Sequence, residues 1–237
     1  MSKEEKIFGI LETILDKTAM AVCILLFLIG CYSIYDSISI YYNAQDKSLL
    51  KYKPSMERPE AIKEISDEAV AWLSLDNTEI DYPIMQGVDN SKYLNTDPYG
   101  DFSLSGSIFL DYRNSPDFSD QYSLVYGHHM SNGVMFGALD AFADPNYFNE
   151  HTTGRLIVGE TSYEIRLFAC VDGDANDDRI FDPGQNALTH EHIKSLAVNY
   201  RKPDEKRNII GLSTCTEETT GRIIVFGTLR PERGNIE

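Results

Sequence analysis

Residues 208–229 read NIIGLSTCTEETTGRIIVFGTL. Two apolar, β-branched runs flank a short polar segment, which is the pattern of two strands joined by a turn. Cys215 closes the first run and Arg222 opens the second. An apolar strand that ends on a cysteine can hold the thiol rigidly and still present it at the surface. If the two runs pair as a hairpin, the guanidinium lies beside the thiol, where it favours thiolate and can stabilise an oxyanion. Taken alone, such a cysteine is equally a packing residue, since free cysteine is among the most buried residue types.

Working outward, similar short runs recur upstream between turn signals. They are Glu79–Met85, Gly106–Leu110, Tyr122–Tyr126, Arg155–Val158 and Ser162–Val171, with the hairpin runs Asn208–Thr214 and Arg222–Leu229 completing the series. Seven or eight short strands separated by Gly, Asn, Asp and Pro predict a mostly β fold, a closed or nearly closed barrel. Helical inserts are expected at Gly133–Phe142 and Leu188–Tyr200. Ahead of the strands, Ile62, Ile65, Ala69, Trp72 and Leu73 fall at helical spacing, which predicts an amphipathic helix over 61–75.

The run Tyr122–Tyr126 leads through Gly127 into His128 and His129, within SLVYGHHMSNGVMF, residues 123–136. A histidine at a strand end can act as acid or base across a barrel rim. Surface histidines in a turn would read the same way. Asp172, Asp174, Asn176 and Asp178 alternate like ligands of a calcium loop, but Asp177 replaces the glycine of the sixth position and Pro183 the glutamate of the twelfth. The EF-hand pattern therefore fails, and a solvated acidic loop is expected, with no metal and no cofactor.

Near the start, TAMAVCILLFLIGCYSIY (Thr18–Tyr35) is 18 residues without a charge. That length is at the lower limit of a membrane span, and Tyr41 and Tyr42 suit an interfacial belt. The run ends in bulky residues where a cleaved signal peptide would have small ones, so an uncleaved anchor is expected. Lysines and an arginine occur on both sides (Lys3, Lys6 and Lys17 before; Lys47, Lys51, Lys53 and Arg58 after), so their count does not orient it. The expected organisation is residues 1–17 cytoplasmic, 18–42 transmembrane, 43–60 a stalk, 61–230 a catalytic domain and 231–237 a tail.

The 237 residues carry a formal net charge of −16 and are 42% hydrophobic. The apolar share allows a full core, and the charge argues against a nucleic-acid partner, which would need a basic face. Of the four cysteines, Cys23 and Cys31 lie in the apolar run, leaving Cys170 and Cys215. That is neither a disulfide framework nor a clustered zinc site.

Together these segments resemble the sortases, specifically class B. GLSTC (Gly211–Cys215) is similar to the family's TLxTC signature, with Gly211 where threonine is usual. Arg222 in GRIIVFG matches the family's arginine at the head of the next strand. YGHHM (Tyr126–Met130) with MFG (Met135–Gly137) resembles the class B histidine segment. WLSLDNTEIDYPIMQGVDNSKYL (Trp72–Leu94), GSIFLDYRN (Gly106–Asn114) and the helical insert at Leu188–Tyr200 also fit. The likeness spans about residues 65–230.

This resemblance implies a sortase-type barrel and an extracytoplasmic cysteine transpeptidase. Cys215 would attack a C-terminal sorting signal and form a thioacyl intermediate. His128 would serve as acid and then base, Arg222 would hold the oxyanion, and Ser213 and Thr214 would line the substrate groove. The partners implied are sorting-signal-bearing surface proteins or pilins, with a peptidoglycan precursor or a pilin lysine supplying the amine. A cysteine peptidase releasing the acyl group to water would use the same residues. The reading furthest from these is an anchored binding module whose Cys and His coincide by chance.

Overall fold

Along Tyr122–His128 the side chains alternate between two apolar layers: Val125 enters one cluster, while Tyr122 and Leu124 enter another on the opposite face. Such alternation is what a strand of a closed sheet does when both faces are covered. In the computed structural model, which describes residues 3–44, 47–55, 57–130, 133–185, 188–203, 207–215 and 221–232, this strand is the fourth of nine.

The chain forms two compact units, residues 1–43 and 44–237. The first is helix α1 (Lys3–Ala44). Leu25, Leu26, Phe27, Leu28 and Ile29 are consecutive and each is more than half exposed, so the apolar surface runs all the way round. The stretch Ile7–Ser39 is long and apolar enough to cross a membrane.

The second unit holds β1 (Ala69–Leu75), β2 (Asp81–Met85), β3 (Ile108–Leu110), β4 (Tyr122–His128), β5 (Thr153–Val158), β6 (Thr161–Asp174), β7 (Ala197–Tyr200), β8 (Ile209–Cys215) and β9 (Gly221–Pro231). They lie in the order β5-β1-β2-β3-β4-β8-β9-β6-β7. A further β5–β6 ladder closes eight of them into a barrel and leaves β7 as an added strand on β6. Two pairings are parallel, β2–β3 and β4–β8; the rest are antiparallel.

The barrel interior is filled by Leu73, Ile84, Val125, Phe136, Leu212 and Val225 among others. Outside β4, β8, β9 and β6, a second cluster joins Leu124, Phe168, Ile224 and Phe226 to Ile180 of helix α3 (Asp178–Phe181) and Ile193 of helix α4 (His190–Leu196). A third cluster surrounds Trp72, Met85 and Phe109 and is covered by Ile62, Leu49 and Tyr52. The last two covering residues belong to a 3₁₀ helix, Lys47–Tyr52, inside the segment expected as a stalk.

The mostly β, closed-barrel architecture is as the sequence predicts, with three local differences. The helix expected over 61–75 is a single 3₁₀ turn, Ala61–Glu64, followed by β1. Trp72 and Leu73 are adjacent and both fully buried, because β1 has the barrel interior on one face and the Trp72 cluster on the other. The insert expected at Gly133–Phe142 is a 3₁₀ helix over Phe136–Ala143. The helix expected over Leu188–Tyr200 stops at Leu196, and Ala197–Tyr200 pairs with β6 as β7. A further short helix, α2 (Pro145–Glu150), is capped by Asp144, whose side chain accepts from the backbone N–H groups of Asn146 and Tyr147.

Candidate active site

The parallel β4–β8 ladder runs without a slip from Tyr122↔Ile209 to His128↔Cys215. Each residue's partner is fixed by the one before it, so the two strands end together with His128 and Cys215 as neighbours. Neighbouring strands lie about 4.8 Å apart. On the other side of β8, the antiparallel ladder to β9 runs through Ser213↔Ile224. Continued by two residues, the same register sets position 222 opposite position 215. Arg222 itself pairs with Gly173 of β6.

Pleating decides which face these positions occupy. A Cβ added at Gly127 would lie 2.4 Å from Ile108 Cδ1 and 2.7 Å from Phe136 Cγ, both in the barrel interior. Gly127 therefore faces inward, and His128 belongs to the outer face with Leu124 and Tyr126. Ile224 and Phe226 mark the same outer face on β9, which is the set that includes position 222. Tyr126, Ser213 and Ile224 form a row across three strands, and in the next row His128 stands opposite Cys215.

The His128 ring is half-buried, with Nε2 2.6 Å from the backbone carbonyl of Leu94. A carbonyl only accepts, so Nε2 carries the hydrogen and Nδ1 is left for other chemistry. His129 faces elsewhere: its Nε2 lies 2.6 Å from Asp140 Oδ2. Arg222 donates from Nη1 to the carbonyl of Gly221, at 3.0 Å.

Ser213 and Thr214 are both buried. The Thr214 hydroxyl accepts from the backbone N–H of Ile223 at 3.2 Å, so it fastens the end of β8 to β9. Gly211 stands beneath the ring of Tyr122, whose hydroxyl oxygen would be 2.8 Å from an added Cβ; the tyrosine fills the space that a threonine would need. Cys170 is fully buried in the barrel interior. Burial, with Asp172 and Asp140 nearby, pushes its thiol up to about 12, so it stays protonated and inert.

Two groups of residues with no individual role assigned from the sequence support this site. The first is Asp111, which is fully buried. Its carboxylate accepts from Arg113, from Asn90 and from the hydroxyl of Tyr126, one row below His128. Arg113 continues to Asp182 and to the carbonyl of Phe181, and so ties the end of α3 to the barrel. The second is the 3₁₀ turn Lys92–Leu94, which presents the Leu94 carbonyl. There Lys92 and the Tyr93 hydroxyl both donate to Glu68, which holds that carboxyl below its ordinary range.

In the acidic loop, two of the carboxylates are engaged by neighbouring groups of the protein. Asp174 accepts from Asn176, and Asp177 caps α3 while meeting His192 and Arg179. Among the described residues no group of three or more His, Cys, Asp or Glu could hold a metal ion.

A sortase-domain family model matches residues 73–230. Sortase B of Listeria monocytogenes is 33% identical over 177 residues, covering 71% of this chain and 72% of that protein. The crystal structure of a Streptococcus pyogenes class B sortase involved in pilus biogenesis is similar with a TM-score of 0.66 at 40% identity, over 71% of this chain and 96% of that one. Staphylococcus aureus sortase B, solved as a substrate complex, gives 0.66 at 25% identity over 80% and 92%.

Proposed function

The chain belongs to the sortase family of cysteine transpeptidases, and from that premise we propose that Cys215, His128 and Arg222 are its catalytic residues and that it joins sorting-signal proteins to an amine outside the cell. The observation that supports this reading most is the unbroken register that makes His128 and Cys215 neighbours at the end of β4 and β8.

In the proposed reaction the Cys215 thiolate attacks the carbonyl carbon of the scissile peptide bond. The carbonyl oxygen becomes an oxyanion, held by the guanidinium of Arg222. The tetrahedral centre collapses to a thioester as the departing amine takes a proton from His128. An incoming amine then attacks the thioester, returns a proton to His128 and releases the thiolate. Ser213 and Thr214 contribute the floor and the rigidity of the strand end that carries the thiol. Helix α1 serves as the membrane anchor, with the barrel unit extracytoplasmic.

The similarity at 40% identity to a sortase involved in pilus biogenesis favours the ε-amine of a pilin lysine as acceptor over a peptidoglycan cross-bridge. The test is to incubate the detergent-solubilised full chain with a panel of sorting-signal peptides and follow the protein by mass. The expected result is an acyl adduct on Cys215 that is absent from Cys215→Ala. Lysine amide should discharge this adduct faster than triglycine or water. Faster discharge by triglycine would point to wall anchoring, and discharge by water alone to a hydrolase. An adduct on Cys170, or cleavage by Cys215→Ala at the wild-type rate, would overturn the assignment.

A further inference from the structure

The Leu94 carbonyl receives the Nε2 hydrogen of His128, and what holds that carbonyl in place is visible around it. Gly106 has φ +55°, a left-handed conformation that costs other residues strain. A Cβ there would lie 2.4 Å from the Tyr93 carbonyl oxygen and 2.6 Å from the Leu94 carbonyl oxygen. The backbone at 106 is therefore seated directly on the two carbonyls, closer than any side chain would permit. The next residue secures the neighbouring acceptors: Ser107 donates its backbone N–H to the Tyr93 carbonyl at 3.0 Å and its hydroxyl to the Thr96 carbonyl at 2.7 Å. From the other side, Tyr93 is half-fixed by its hydroxyl bond to Glu68, which Lys92 also engages. Between them these contacts give the Tyr93 and Thr96 carbonyls partners of their own and aim the Leu94 carbonyl at the imidazole.

We infer that Gly106 is a positioning residue for the transpeptidase reaction: by letting the chain close onto the Tyr93–Leu94 carbonyls it fixes His128 with the hydrogen on Nε2 and leaves Nδ1 as the nitrogen that exchanges the proton. Neutral His128 then has a single tautomer, with the Nδ1 lone pair available to accept a proton from the incoming amine. Protonated His128 offers Nδ1–H to the departing one, while Nε2–H stays on Leu94 throughout. No side chain could do the same from position 106, because the space it would occupy is taken by the carbonyl oxygens themselves. The inference rests on the reading of His128 as the acid and base, but its geometric half can be measured without any activity.

The experiment uses the full chain in detergent with 15N-labelled histidine, five residues in all, the His128 signals being identified by their loss in His128→Ala. The expected spectrum at high pH shows a protonated Nε2 and a bare Nδ1 for His128. A protonated Nδ1, or an averaged pair of shifts, would overturn the inference whatever the kinetics show. In Gly106→Ala, checked for a native fold by its thermal transition, kcat should fall roughly tenfold to a hundredfold, the size of effect expected from a misplaced catalytic group. KM should stay within about twofold. The same variant should blur the His128 tautomer and shift the acidic limb of the pH–rate profile. A folded Gly106→Ala with wild-type kcat sinks the idea. If that variant does not fold, Ser107→Ala, which removes only the bond to Thr96, replaces it and should lower kcat by a smaller factor with the same tautomer change; an unchanged tautomer there counts against the device. An active His128→Ala would instead remove the acid–base reading, leaving the measured tautomer as a separate result.

Discussion

His128 and His129 carry the same ring, and only the pleat of β4 separates them. Gly127 faces the barrel interior, so His128 lies on the outer face beside Tyr126, whereas His129 has turned to meet Asp140. His128→Ala is expected to lose activity by at least about a hundredfold, the scale of general acid–base catalysis. His129→Ala should keep most of its activity, since the contact it loses is with a half-exposed Asp140 and is worth little. One fluorogenic sorting peptide assayed on both variants decides the matter; the reverse order of activities would mean that the wrong ring has been chosen. At position 222 the same logic concerns shape. Lysine would preserve the charge but not the planar fork of donors that can hold an oxygen from two directions. Arg222→Lys is therefore expected to cut kcat/KM by more than about tenfold, or about 1.4 kcal/mol; a loss under threefold would reduce Arg222 to a diffuse positive charge. These side chains were legible in the sequence because thiol, imidazole and guanidinium are distinctive and sit at the ends of apolar runs. The Leu94 carbonyl was not, because every residue has a carbonyl, and only folding decides which one an imidazole meets.

At the scale of elements, the same contrast explains the misreading of β1. A strand exposed on one face shows alternation, but one covered on both faces shows an apolar run that a short window cannot distinguish from a helix. Ile62, Ile65, Ala69, Trp72 and Leu73 have helical spacing by coincidence of two adjoining elements, a 3₁₀ turn and a strand. The split of 188–200 has a related cause: Ala197–Tyr200 gains its hydrogen bonds from the bulged stretch of β6, a partner far away in sequence. The β8–β9 hairpin and β4 were easier to read because each is bounded by turn residues. What joins β3, β4 and α3 was hidden until the fold was seen, namely the buried Asp111 carboxylate. Burial alone would raise its pKa, but its bonds to Arg113 and Asn90 outweigh that and hold it below the ordinary range. It binds its proton less tightly when folded than when unfolded. Its stabilising contribution is thus complete above about pH 4, the unfolded carboxyl range, and is lost as the pH falls through the lower folded value. Asp111→Asn leaves Arg113 facing a neutral amide and should destabilise the protein by about 3 kcal/mol at pH 7. Urea unfolding of the two proteins at pH 7 and pH 3 checks both claims: the difference should shrink at the lower pH, and an equal difference at both would show that the charge is not what matters.

At the scale of the whole molecule, the chain divides where its physics changes. Through the described part of α1 the apolar residues are exposed on all sides, over a stretch long and apolar enough to cross a membrane. From residue 44 onward, most large apolar residues turn inward and, apart from the paired Asp111, the charge is carried at the surface. The boundary of the folded unit does not fall at the first residue of the barrel, however. Leu49 and Tyr52 pack on the Trp72 cluster, and Lys53 donates to Asp81 at 2.7 Å, the same carboxylate oxygen that accepts from the Trp72 indole at 2.6 Å. A chain that begins at Ala44 should therefore remain soluble without detergent and keep kcat/KM for a peptide within about twofold of the full chain, since the three residues proposed as catalytic all lie downstream. A chain that begins at Ala61 would expose the Trp72 cluster and leave Asp81 without its lysine. The area uncovered by losing one leucine and one tyrosine corresponds to about 2–3 kcal/mol. For a unit of this size that lowers the thermal midpoint by roughly 5–10 °C. Measured side by side, equal midpoints for the two shortened chains would show that residues 44–60 are only a tether; a lower midpoint for the shorter one, with kcat unchanged at low temperature, would show that they are part of the folded unit and not of its chemistry.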